Sequence, residues 1–176
     1  MKSSFFSNID GKNSALKKRI IALCINEDGY SIADLSKELN TSIPTITKIV
    51  GELMDEGFLV DMGKLGTNGG RRPSIYGLNP SAGYFVGTDV KKKSISIAVT
   101  NFKGQTVDYL EELPFTVQNS EASFRELCTT IKKYLSDNGI DPSEVLAYGV
   151  NLTGRVNNET GYCFSYFIGE DRPISA

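Results

Sequence analysis

The stretch TSIPTITKIVGELMDEG, residues 41–57, carries the reading on which the fold turns. Ile46, Ile49, Val50, Leu53 and Met54 recur at the three- and four-residue spacing of one helical face, so the segment reads as an amphipathic helix with these five turned inward. Thr41 or Ser42 can cap its start. Pro44 is tolerated in the first turn, where its position has no helical acceptor to miss. Gly57 ends the helix. The outward positions near the start are Thr45, Thr47 and Lys48, two short hydroxyls and one cation, compact enough to let a helix come close to a groove.

Upstream, SALKKRIIALCIN at 14–26 places Leu16, Ile20, Leu23 and Cys24 on one face of a first helix. Glu27-Asp28-Gly29-Tyr30 supplies a turn, and Ser31 is a fitting N-cap for IADLSKEL, with Asp34 in the first turn and Ile32, Leu35 and Leu39 inward. Downstream, Phe58-Leu59-Val60 begins an extended segment whose antiparallel partner is SIYGL at 74–78. The intervening loop carries Lys64, Arg71 and Arg72, with no acidic residue from Met62 to Tyr76. Gly69-Gly70 gives its tip backbone freedom, and Pro73 stiffens the return. Three helices followed by strand, loop and strand form the plan of a winged helix-turn-helix, in which the third helix can enter a major groove and the hairpin flanks it. Arginines on such a loop can pair with phosphates or enter the electronegative minor groove.

Composition narrows the chemistry. The 176 residues include no histidine, which excludes histidine-dependent acid–base catalysis and disfavours a conventional zinc site. Cys24, Cys128 and Cys163 are widely spaced and odd in number, which fits a reducing cytoplasm better than a disulfide framework. The apolar runs IIALCI at 20–25 and IAV at 97–99 fall far short of the roughly 20 residues a bilayer requires, so no membrane partner is expected. Net charge is −2, unevenly divided. Residues 1–80 hold 10 Lys and Arg against 9 Asp and Glu, or +1, and residues 81–176 hold 9 against 12, or −3. A total of +1 is weak support for DNA binding, so the placement of the cations has to carry that case.

TSIPTITKIVGELMDEGFLVDMG at 41–63 and GTNGGRRPSIYGLNP at 66–80 together resemble the repressor branch of the ROK family (repressors, open reading frames and kinases). The glycine-rich, arginine-proline wing is the more specific of the two. The resemblance spans about residues 14–170. It implies a winged helix-turn-helix over 1–80, followed over 81–176 by the incomplete first lobe of an actin-like, ribonuclease-H-like α/β domain. It also implies a longer protein, with the second lobe, the catalytic aspartate, most sugar contacts and a cysteine-rich zinc motif lying beyond this sequence. No cofactor is expected in these residues. The expected partners are double-stranded DNA with a palindromic operator and a second copy of the chain, with a sugar or sugar phosphate as effector of the full-length protein. Ser42, Thr45, Thr47, Lys48, Lys64, Arg71 and Arg72 are the expected DNA contacts.

The second half fits this plan. Strands are expected at about 84–90, 94–99, 105–113 and 145–150, with a helix over 120–138 whose inward positions are Phe124, Leu127, Cys128, Ile131 and Leu135. Asp89 stands where kinases of this family have an aspartate followed by glycines that let the backbone approach nucleotide phosphates. Here Val90-Lys91-Lys92-Lys93 follows instead, so Asp89 reads as a degenerate phosphate-loop position and the lysines as a solvated turn. The unfinished sheet should leave an apolar edge exposed and favour self-association. The leading reading is therefore a carbohydrate-related transcriptional repressor without enzymatic activity. A glucokinase-like enzyme with an interaction module and a non-catalytic protein scaffold are the alternatives.

Overall fold

A computed structural model of the chain describes residues 13–64, 73–118, 120–152, 155–156, 159 and 163–164. The chain divides into two compact units: Met1–Gly83 with Asn101–Gln105, and Tyr84–Thr100 with Thr106–Ala176.

In the first unit, helices α1 (Ser14–Asn26), α2 (Ile32–Glu38) and α3 (Ile43–Asp55) precede the hairpin strands β1 (Leu59–Lys64) and β2 (Ser74–Leu78). Capping fixes the helix ends. The Ser31 hydroxyl accepts from the Asp34 amide at the start of α2, and Ser42 accepts from the Thr45 amide at the start of α3. At the far end of α3, Phe58 N–H donates to Leu53 O and Gly57 N–H to Met54 O, the paired bonds of a Schellman motif. Gly57 sits at φ 82, where a β-carbon would be strained. Asn79 then joins the helix end to the end of the hairpin, donating from its side chain to Gly57 O (2.8 Å) and from its backbone to Phe58 O (2.9 Å).

The core of this unit holds Ile20, Leu35, Ile46, Ile49, Leu53 and Leu59, all at most 1% exposed. α3 packs on α1, α2 and β1. Met54 departs from its expected place: it is 37% exposed, because the buried arc of α3 runs through Ile46, Ile49, Val50 and Leu53 and Met54 falls just past its edge. In the hairpin, Leu59 pairs with Leu78, Val60 with Gly77 and Asp61 with Tyr76, and the register slips before Lys64 meets Ser74. Tyr30 bridges to Tyr76, which adds a third chain segment to the hairpin. That bridge needs Gly29, since a β-carbon there would lie 2.6 Å from Ile75 Cγ2 and 3.0 Å from Tyr76 O.

In the second unit, β3 (Tyr84–Val90), β4 (Ser94–Asn101), β5 (Thr106–Pro114) and β6 (Val145–Leu152) form one sheet in the order β5-β4-β3-β6. β4 and β5 are antiparallel, whereas β6 returns parallel to β3 after helix α4 (Glu121–Asp137). Two short strands follow, β7 (Arg155–Val156) and β8 (Cys163–Phe164). α4 covers one face of the sheet through Leu127, Ile131 and Leu135, which cluster with Val86, Val90, Ile95, Ile97 and Val99. Phe124, expected inward, is 56% exposed. Ser123 takes the inward position four residues before Leu127, and its hydroxyl accepts from the Gln118 amide (2.9 Å). Cys128 is only half-buried. On β6, at the edge of the sheet, Tyr148 and Val150 are each 46% exposed.

Thr88 breaks the apolar run of β3. It is 3% exposed between Val86 and Val90, and its Oγ1 has no hydrogen-bond partner among the described residues. An unpaired buried hydroxyl is costly, and valine has nearly the same shape. Thr88→Val is therefore expected to raise stability by about 1 kcal/mol. Urea unfolding checks this: the midpoint rises at constant slope, whereas a fall would mean the hydroxyl is satisfied.

Candidate nucleic-acid interface

The exposed side of α3 is built from the residues its capping leaves outside. Ser42, Ile43, Pro44, Thr45, Thr47 and Lys48 are all exposed, while Ile46, Ile49 and Val50 between and behind them are buried. The hydroxyls are not free probes. Ser42 Oγ and Thr45 Oγ1 share a single hydrogen bond at 2.8 Å, in which either can be the donor, and Thr47 Oγ1 donates to Ile43 O one turn back at 2.9 Å. Lys48 keeps its ammonium in solvent, with its side chain 71% exposed and Nζ 4.0 Å from Glu52 Oε1.

Behind this face lies an ion cluster absent from the sequence-based reading. Lys17, on the inward side of α1, is 7% exposed. Its Nζ sits 2.6 Å from Glu56 Oε1 and 3.1 Å from Glu52 Oε2, both at the C-terminal end of α3, where Glu56 is the C-cap. Burial works against the charged lysine, but the hydrogen bonds to Glu56 and Glu52 and their charges outweigh it and raise its pKa. Spacing held the signal: Lys17, Ile20 and Cys24 stand at i, i+3 and i+7, so the inward stripe of α1 runs through a lysine. Cys24 on that stripe is chemically quiet, its thiol pushed up to about 11 by burial.

Among the expected DNA contacts, Ser42, Thr45, Thr47 and Lys48 share the exposed side of α3. Lys64 ends β1, and its side chain lies outside the described residues. Arg71 and Arg72 also lie outside them.

The degenerate phosphate-loop position belongs to the second unit. Asp89 Oδ1 accepts from Asn151 Nδ2 at 2.8 Å, and Lys91 Nζ lies 3.7 Å from Glu112. Both border a shallow groove on the sheet face away from α4, floored by Gly87, Ala98 and Gly149 and flanked by Tyr109. Among the described residues no cluster of His, Cys, Asp and Glu could hold a metal ion, and no helix is long and apolar enough to cross a membrane.

Comparison with known proteins agrees with this layout. A winged helix-turn-helix DNA-binding family model matches residues 14–60. The xylose repressor of Caldicellulosiruptor bescii is 27% identical over 146 residues, covering 82% of this chain and 36% of the repressor. The xylose repressor of Bacillus subtilis is 25% identical over 150 residues, covering 85% and 38%. This chain thus spans little more than a third of the curated relatives it matches. Among solved structures, a ROK family transcriptional regulator, a homologue of the E. coli MLC protein, superposes with a TM-score of 0.65 at 20% identity, over 90% of this chain and 40% of that one. The resemblance to the N-terminal portion of ROK repressors is borne out, and so is the fold expected from it. The relatives named here are repressors and a transcriptional regulator.

Proposed function

We propose that this chain is the DNA-reading portion of a ROK-type transcriptional repressor of carbohydrate-related genes. The observation that carries the reading is the capped, outward face of α3 beside a hairpin whose loop bears only positive charge. Residues 1–80 bind DNA and residues 81–176 supply the first lobe of the effector domain. Ser42, Thr45, Thr47 and Lys48 lie toward the major groove, while Lys64, Arg71 and Arg72 bring the wing to phosphates or the minor groove. The protein acts in the cytoplasm as a homodimer on a palindromic operator, and a sugar or sugar phosphate bound by the longer protein controls it.

The protein is not an enzyme. Close approach of backbone to a nucleotide requires bare glycines after Asp89, and Val90-Lys91-Lys92-Lys93 follows there instead. The scaffold alternative is set aside because the positively charged wing loop suits a nucleic-acid partner better than a protein one.

A salt titration tests the proposal. The chain is used to select binding sequences from a random duplex pool, and affinity for the selected duplex is measured against salt by fluorescence anisotropy. Each phosphate contact contributes about 0.9 to the slope of log K against log salt, so Arg71→Ala/Arg72→Ala should flatten the slope by about 2. An unchanged slope would remove the wing from the interface. Binding without salt dependence or sequence selection would remove the DNA reading itself.

A further inference from the structure

The face that α3 offers a groove is chemically unlike the hydrogen-bonding surface its sequence suggests. Thr47 folds its Oγ1 back onto Ile43 O, so its outward group is the Cγ2 methyl. Ser42 and Thr45 share one hydrogen bond in the cap, which takes up the hydroxyl hydrogen of one of the two. Between them Ile43 stands 55% exposed in the first turn, although the fold has abundant buried sites for isoleucine. Ile43 and Thr47 are one turn apart, so isoleucine and threonine methyls lie side by side along the helix. One turn further on is Gly51, where an added β-carbon would meet nothing within 4 Å. The fold does not require a glycine there, and glycine inside a helix is destabilising relative to alanine. Its absent side chain leaves the helix surface flat next to Thr47, where a base edge or sugar-phosphate strand can come close.

We infer that α3 reads its site through the 5-methyl groups of thymines, packed against Ile43 and the Thr47 methyl, rather than through threonine hydroxyls. This rests on the DNA-binding reading above and specifies the base chemistry it uses. In the major groove the thymine methyl is the apolar mark that separates T·A from the other pairs, and aliphatic and threonine methyl groups are its natural contacts. Lys48, the exposed cation next to Thr47 in the sequence of α3, is left to a guanine edge or a phosphate. Sites for this chain should therefore contain A·T pairs at fixed positions in each half-site.

Thymine-to-uracil exchange isolates the inference, because it deletes the methyl and keeps the pairing. Each thymine of the selected duplex is replaced singly by deoxyuridine, and binding is measured at fixed salt. One or two positions per half-site should weaken binding about fourfold each, the value of one buried methyl. That sensitivity should vanish in Ile43→Ala and Thr47→Ser, and persist in Thr47→Val, which keeps the methyl and discards the hydroxyl. Gly51→Ala should weaken binding while leaving the thermal midpoint equal or higher. Uracil tolerated at every position, or loss of sequence preference in Thr47→Val with folding intact, would overturn methyl reading while leaving DNA binding standing. Failure to select any sequence would instead strike the functional reading on which the inference depends.

Discussion

Leu53→Ala is expected to remove about 3 kcal/mol of stability, with the urea midpoint falling and the slope little changed. Leu53 is fully buried on α3, the helix that packs against α1, α2 and β1. Truncating it loses the transfer energy of three carbons and leaves a void that three packed elements cannot close together. The Schellman cap at Leu53 O is made by backbone and survives the change, so the loss is one of packing. For a unit of this size, total stability is on the order of 4–12 kcal/mol, so this single truncation takes a large share. The neighbouring Met54→Ala is the internal comparison. Met54 is 37% exposed, and its truncation should cost well under half as much. Equal costs at the two positions would mean that the inward face of α3 has been placed one residue wrong.

That comparison also marks where sequence stops being legible. The ends of α2 and α3 were readable because each is fixed by a local chemical device: Ser31 and Ser42 as caps, and Gly57 at positive φ. The strands were readable because Val86, Val90, Ile95, Ile97 and Val99 have few other places to go. Position within a face was harder. Periodicity admits Met54 and Phe124 to the inward stripes, since each lies next to a buried residue on its helix. Only packing shows that the arc of α3 closes at Leu53, and that Ser123 outcompetes Phe124 because its hydroxyl satisfies the Gln118 amide. The proposed interface was legible as an element but not as chemistry. Sequence identifies Thr45 and Thr47 as outward hydroxyls, but it does not show that the first is hydrogen-bonded to the Ser42 cap and that the second donates to Ile43 O. Lys17 escaped for a related reason: a lysine on an inward stripe is ordinarily read as an interruption, and its two partners lie on α3, 35 and 39 residues further along the chain.

Lys17→Met is expected to destabilise the chain by about 2 kcal/mol, although methionine suits a buried site better than lysine does. The loss comes from what remains. Glu52 and Glu56 face each other across the vacated position, one helical turn apart on α3. Removing one partner of a fully buried pair costs about 3–5 kcal/mol. The glutamate side chains are 33% and 32% exposed, so water recovers part of that sum. The origin of the loss is separable by restoring neutrality: adding Glu52→Gln and Glu56→Gln to Lys17→Met should return most of it. A triple variant no more stable than Lys17→Met would mean that the lysine stem, not its charge, holds α1 to α3. The pH dependence has a definite sign. The folded pKa of Lys17 is raised above its ordinary value of 10.5, so the stabilisation is complete below that pH and fades as pH climbs through the folded value. Wild type should thus lose stability in strong alkali through this group, and Lys17→Met should lack that component. The same substitution reaches the proposed interface. Glu52 also lies 4.0 Å from Lys48, and with Lys17 gone its charge is left to draw on Lys48 alone. The cation of α3 proposed to contact DNA would then be partly neutralised, so Lys17→Met should bind the selected duplex more weakly even at temperatures where it is fully folded.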